Sequence, residues 1–303
     1  MRAVWSFWSA PYREHYHHTW PSEKAHLLAW ILSVGEASKH YPATALYTDS
    51  AGKRLLVEGL GLRFGQVELA LDGLDGSDTH WWVLGKLAAY AAQTAPFVHL
   101  DSDVFLWARL PPAMEAAGIL AQNPEFFEFH DQSLYRLDAF LDGIGRDGGW
   151  IPEEWHWYAR RRGNGAVCCG ILGGSQTGFI RHYAQAAAAV IRHPRNQAAW
   201  PKLGVRDNIL VEQYFLAACL EYHRQVAEAA HAGVAAAYLF ESSRAAFDPA
   251  NAARAGYTHL IGEAKRNPEI AARLERRVRA DYPEHYARCL ALLASGRDWG
   301  GWR

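Results

Sequence analysis

Two carboxylates interrupt what otherwise reads as one buried strand, in the stretch Phe97-Val98-His99-Leu100-Asp101-Ser102-Asp103-Val104-Phe105. Its flanks are apolar apart from one histidine, and Leu106 and Trp107 continue the run. Ionised carboxylates are costly to bury unless a cation or hydrogen bonds compensate them. Alternate residues of an extended chain point the same way, so Asp101 and Asp103 are expected to face one divalent ion. Oxygen donors of this kind suit Mg2+ or Mn2+. The competing reading is a strand-end turn with two solvated acids. Apolar residues on both sides of the acids weigh against it.

The segments before this stretch supply a sheet for it to end. Residues 3–7 are short, apolar and aromatic, and predict a first strand. Leu27, Leu28, Ile31, Leu32 and Val34 recur at helical spacing after Pro21-Ser22-Glu23, up to about Pro42. Residues 45–49 predict a second strand, 53–60 a short helix, 66–71 a third strand and 81–93 another helix. This alternation argues for an α/β fold: a mixed, mostly parallel Rossmann-like sheet flanked by helices, with a helical C-terminal part. Ligands of such sheets collect at the carboxyl ends of strands, where Asp49, Asp101 and Asp103 fall.

Later segments follow less regularly. Residues 118–122 and 167–174 predict strands, 177–191 and 208–220 helices, and Asn267-Pro268 the start of a helical pair. Residues 125–157 read as aromatic, glycine-rich and irregular, with Trp150, Trp155, Trp157 and Tyr158 before Arg160-Arg161-Arg162. These could stack on and clamp an acceptor, or form a packed insertion with a solvated arginine run. His15-Tyr16-His17-His18 predicts a surface or acceptor-side loop, because consecutive histidines do not converge on one ion without further ligands.

Composition excludes several classes. A net charge of −1 gives no electrostatic reason for a nucleic-acid partner. No apolar stretch reaches the roughly 18 residues of a membrane span, and the N-terminus lacks the features of a signal peptide. Four cysteines, with Cys168 and Cys169 adjacent, make neither a disulfide framework nor a zinc site. A cytoplasmic protein with reduced thiols is expected.

The segment His259-Leu260-Ile261-Gly262-Glu263-Ala264-Lys265 adds an imidazole, a glycine and a cation near the other end of the chain. Taken with the acidic pair, it resembles the retaining glycosyltransferases of the glycogenin and bacterial lipopolysaccharide galactosyltransferase family. These have a GT-A fold, a D-x-D motif after a buried strand and a late His-x-x-Gly-x-x-Lys motif. The resemblance implies Asp101, Asp103 and His259 as ligands of Mn2+ (or Mg2+) and Lys265 on the diphosphate of a nucleotide sugar. Gly262 would let a backbone N–H approach a phosphate oxygen. Lys86, on a helix upstream, matches a basic residue reaching the donor, one residue off in spacing. Trp5, Ser6, Tyr47, Asp49 and Ser102 are further candidates for the nucleotide.

Cys168-Cys169-Gly170 resembles the family's Asn-x-Gly strand with Cys168 in place of asparagine. Asp207-Asn208 resembles its Asp-Gln pair near the transferred sugar, with Glu212 and Gln213 as competing candidates. The resemblance implies a single domain over 1–303: a nucleotide-binding half (1–107), an acceptor side (108–267) and C-terminal helices (268–303). It implies sugar transfer from a nucleoside diphosphate sugar to an acceptor such as a glycan, a lipid-linked sugar, a peptide or a small molecule, with retention. Two rivals stand beside it. A sugar nucleotidyltransferase would carry a glycine-rich basic loop where this chain has Trp8-Ser9-Ala10-Pro11-Tyr12-Arg13. A non-catalytic nucleotide-sugar-binding protein is the other.

Overall fold

A computed structural model describes residues 1–130, 133–146, 148–202 and 207–295, without the side chains of 15–18. Its strands are β1 (Arg2–Phe7), β2 (Thr44–Thr48), β3 (Gln66–Glu68), β4 (Phe97–Leu100), β5 (Val104–Leu106), β6 (Ile119–Phe126), β7 (Gly165–Gly174), β8 (Ala236–Tyr238) and β9 (Tyr257–His259). The chain divides into two compact units, residues 1–79, 97–111 and 249–303 in the first, 80–96 and 112–248 in the second. The expected N-terminal half thus gives its residues 80–96 to the second unit, and the C-terminal helices belong to the first. Residues 296–303 of the expected helical end lie outside the described residues.

In the first unit the strand order is β3-β2-β1-β4, every pair parallel. Ala3, Val4 and Trp5 of β1 are fully buried, as are Phe97 and Val98 of β4. Both faces of these strands are covered, which is why they read as continuous apolar runs rather than alternating ones. The Glu23–Ser38 helix begins where Ser22 Oγ accepts the Ala25 N–H at 3.2 Å. It packs against Pro268–Asp281 and Pro283–Ser295. A Lys24–Glu275 ion pair of 2.8 Å and a Tyr282 hydroxyl on Glu36 at 2.9 Å join these helices. Asn267 Oδ1 caps the first of the pair, accepting from Glu269 N and Ile270 N, with Pro268 at the first helical position.

The second unit pairs β6 antiparallel with β7 and parallel with β8. The mixed, mostly parallel α/β class expected from the alternation is the class the chain adopts. Several local expectations are corrected. Residues 125–157 are not irregular throughout: they contain helices at Leu137–Arg146 and Glu153–Arg160. Trp155 lies fully buried, stacked on Phe140 at 5.3 Å and on Phe215 at 5.3 Å, so it is a core side chain. Trp157 instead holds Arg161, whose guanidinium sits 4.0 Å over the ring. The segment 15–18, expected as a loop, continues the Ser9–Thr19 helix. The strand expected at 66–71 stops at Glu68 and turns into a 3-10 helix, Ala70–Leu74. The expected short helix before it is Ser50–Lys53, followed by a π-helical stretch, Arg54–Gly59.

At the end of β7, Gly174 has a φ of +129°, and a Cβ there would lie 2.1 Å from the carbonyl oxygen of Gly118. Both facts demand glycine, since the clash is with backbone that side-chain rotation cannot relieve. Gly174→Ala is expected to destabilise the protein by about 3 kcal/mol, from backbone strain plus overpacking. Urea denaturation monitored by circular dichroism checks this.

Candidate metal centre

Asp101, Ser102 and Asp103 do not continue an extended strand. They form a turn between β4 and β5, closed by the Val104 N–H on the Asp101 carbonyl at 3.0 Å. The alternation argument for their shared direction therefore fails in its premise. The turn nonetheless brings both carboxylates to one side. The partner comes from β9, which runs antiparallel to β5 with Val104 opposite His259 and Leu106 opposite Tyr257. The Leu260 N–H on the Asp103 carbonyl, 3.0 Å, extends that ladder into the turn. Gly256 makes the approach possible: its φ is +58° and a Cβ would meet the Ala108 backbone nitrogen at 2.9 Å.

One ligand atom each from Asp101, Asp103 and His259 then lie within 4.8 Å of one another. His259 Nε2 is 3.5 Å from Asp103 Oδ1, and Lys265 Nζ is 2.6 Å from Asp103 Oδ2. Asp103 is buried, Asp101 half-buried. Burial by itself raises a carboxyl's pKa; here the facing Lys265 and His259 more than offset it and hold Asp103 well below the usual carboxylate range. The Lys265 ammonium also stands 5.4 Å over the Trp20 ring. His26, 6% exposed, is pushed down to about 3 by burial and by Lys265, so its ring is neutral at physiological pH. Trp20, His26 and His99 escaped the sequence reading. His99 Nε2 meets Ser6 Oγ at 2.9 Å, and its Nδ1 lies 3.9 Å from Asp101 Oδ1. An apolar neighbourhood at period two gave no sign that His99 faces an acid.

The donor set fits a divalent cation. Two carboxylate oxygens and an imidazole nitrogen within 4.8 Å of each other can reach metal–ligand bonds of roughly 2.1 Å by small side-chain rotations. Gly262 has a φ of +55° and open space where its Cβ would be, so its backbone is accessible to a ligand.

The other expected residues divide sharply. Trp5 is fully buried with its indole N–H on Ser33 Oγ at 3.0 Å, so its ring is core rather than a nucleotide contact. Tyr47 is buried, its hydroxyl accepting from Arg2 at 3.4 Å. Asp49 accepts from Ser9 N (2.8 Å), Ser9 Oγ (2.7 Å) and Gly52 N (2.6 Å). Its carboxylate caps helices and is committed to the fold. Ser102 lies half-buried in the acidic turn.

In the second unit Lys86, expected either on the donor or solvated, forms an ion pair of 2.6 Å with Glu212, both largely buried. Tyr90 donates to the same Glu212 oxygen at 3.3 Å. Asn208 is used structurally: its Oδ1 accepts the Val83 N–H at 3.1 Å and its Nδ2 donates to the His80 carbonyl at 2.8 Å. Asp207 is buried, and Gln213 lies against the Tyr135 hydroxyl.

The chain belongs to DUF6734, a family of unknown function, which matches residues 1–292. None of the curated proteins matches it. Among solved structures it is similar to the galactosyltransferase LgtC in complex with donor and acceptor sugar analogs, at 14% identity and a TM-score of 0.40. That alignment covers 90% of this chain and 96% of the other. A likeness of that degree transfers neither activity nor substrate.

Because Asp103 has a depressed folded-state pKa, its contribution to stability is present above the unfolded value of about 3.9 and is lost as pH falls below it. Asp103→Asn, which leaves Lys265 facing a neutral group, is expected to cost about 3 kcal/mol at pH 7. The difference from wild type should shrink at pH 3. Urea unfolding of both proteins at the two pH values measures it, and a pH-independent gap would contradict the assignment.

Proposed function

We propose that this protein is a metal-dependent glycosyltransferase that moves a sugar from a nucleoside diphosphate sugar to an acceptor, with retention. The observation that carries the reading is the convergence of Asp101, Asp103 and His259, with Lys265 on the same carboxylate. Two acids and an imidazole from distant segments are more than an ion pair with Lys265 requires.

A divalent cation in this cluster, Mn2+ or Mg2+, would supply Lewis-acid neutralisation of charge building on the leaving diphosphate. Asp101, Asp103 and His259 are proposed to hold it. Lys265, held on Asp103, is proposed to add a second positive charge where the leaving group becomes anionic. Gly262 offers a backbone N–H unobstructed by a side chain. Ser6 and Ser102 remain proposed for the nucleotide. The proposed contacts to the transferred sugar, Asp207 and the Lys86–Glu212 pair, rest on the motif resemblance.

One feature separates this from a sugar nucleotidyltransferase. Such an enzyme needs free backbone N–H groups after the first strand to cradle phosphates. Here the helix after β1 starts at Ser9, whose N–H and hydroxyl are both taken by Asp49. The four cysteines are free and buried, and no helix among the described residues is long and apolar enough to cross a membrane.

Calorimetry with Mn2+ and a panel of nucleoside diphosphates tests binding, and donor turnover tests catalysis. Metal-dependent binding of at least one nucleoside diphosphate is expected, weakened at least about 10-fold in Asp103→Asn and His259→Ala. Equal affinity in those variants, or binding unaffected by chelator, would remove the proposal. Binding without transfer or hydrolysis of any sugar donor would instead favour the non-catalytic reading.

A further inference from the structure

The second unit contains a different cluster of ligating side chains, contributed by three helices. Glu154 lies on Glu153–Arg160, His182 on Thr177–Arg192 and His223 on Phe215–Gln225. His182 Nε2 is 2.7 Å from Glu154 Oε1, and His223 Nε2 is 3.7 Å from the same oxygen. One ligand atom from each lies within 4.8 Å of the others. A third imidazole, His231, stands at the edge, its ring centroid 5.5 Å from that of His182 and 5.4 Å from that of His223. Phe179 packs edge-on against both His223 and His231 and walls one side.

Two features set this group apart from an ordinary ion pair. One carboxylate oxygen faces two imidazoles, with a third at the edge. In addition, His223 is 2% exposed, yet its Nε2 is aimed into the cluster with no hydrogen-bond partner. At 3.7 Å the Glu154 oxygen is too far to supply one. With Nδ1 accepting the His231 amide, the neutral ring carries its proton on Nε2, and a buried N–H with no acceptor in range is disfavoured.

We propose that Glu154, His182 and His223 form a second cation site, selective for a zinc-type first-row ion, with the open position beside His231. Its nitrogen-rich donors favour Zn2+, Co2+ or Ni2+, whereas the two-carboxylate cluster of the first unit suits Mn2+ and Mg2+. The His182 side chain is 36% exposed, which gives an ion a route in. Loading the site requires one rearrangement. The His231 N–H now donates to His223 Nδ1 at 3.3 Å. A neutral ring ligating through Nε2 carries its proton on Nδ1, so the His231 amide must release that atom. A contact of this length is at the weak end of the hydrogen-bond range.

The test is a zinc titration by calorimetry and by equilibrium dialysis with elemental analysis, using the full chain. The background is Asp103→Asn, which disables the first-unit cluster and separates this proposal from the glycosyltransferase reading. One zinc equivalent is expected to remain in that background and to weaken at least about 10-fold when His182→Ala or Glu154→Gln is added. Because His182 is part-exposed, the first variant should keep the wild-type circular dichroism spectrum. Co2+ at the site should give the visible absorption of a tetrahedral nitrogen and oxygen environment, absent in His182→Ala. A zinc equivalent that is missing in the background, or that survives both substitutions unchanged, would overturn the proposal.

Discussion

A buried carboxylate sets the terms for the first unit. Asp103 is 4% exposed, and an ionised group that far from water needs opposite charge and hydrogen-bond donors around it. Lys265 and His259 provide them, and both come from the far end of the sequence. The short β5–β9 ladder is what delivers them, in a register that puts His259 opposite Val104, next to the acid. Remove the ladder and the acid loses its compensation. Remove the acid and the ammonium of Lys265 loses its ion-pair partner.

The same logic explains why residues with similar chemistry have different fates. Asp49 and Asp101 both sit at carboxyl ends of parallel strands, where ligands of α/β folds collect. Asp49 accepts three hydrogen bonds from Ser9 and Gly52 and is saturated by the fold. Asp101 places one oxygen in the cluster with Asp103 and His259. Asn208 and Glu212 are both engaged by the protein. The amide of Asn208 fastens the start of the Val83–Ala91 helix, while Glu212 holds the Lys86 ammonium.

Much of the architecture was legible in advance because its signals are local. Apolar runs bounded by turn residues located β1, β2, β4 and β7, and helical spacing located Glu23–Ser38 and Pro268–Asp281. The helices at Leu137–Arg146 and Glu153–Arg160 were missed. Leu137, Phe140, Leu141 and Ile144 do recur at helical spacing, but Gly143 and Gly145 lower helix propensity there, and in the second helix tertiary stacking of Trp155 on Phe140 and Phe215 overrides weak propensity. The acidic pair was found for a reason that proved incomplete, since a turn rather than an extended strand aligns the two carboxylates. The Glu154, His182 and His223 cluster left no motif, because its members lie on three separate helices.

The sequence by itself determined the α/β class, the strand on which the acids end, and the residue types able to bind a cation and a diphosphate. These follow from periodicity, from the cost of burying charge, and from the donor chemistry of each side chain. The motif resemblance put His259 with Asp101 and Asp103, but only the tertiary structure decided that Lys265 pairs with Asp103, Lys86 with Glu212 and Glu154 with two histidines. Such pairings depend on strand register and helix packing, which are set by contacts summed over the whole chain and carry no signature at the positions themselves.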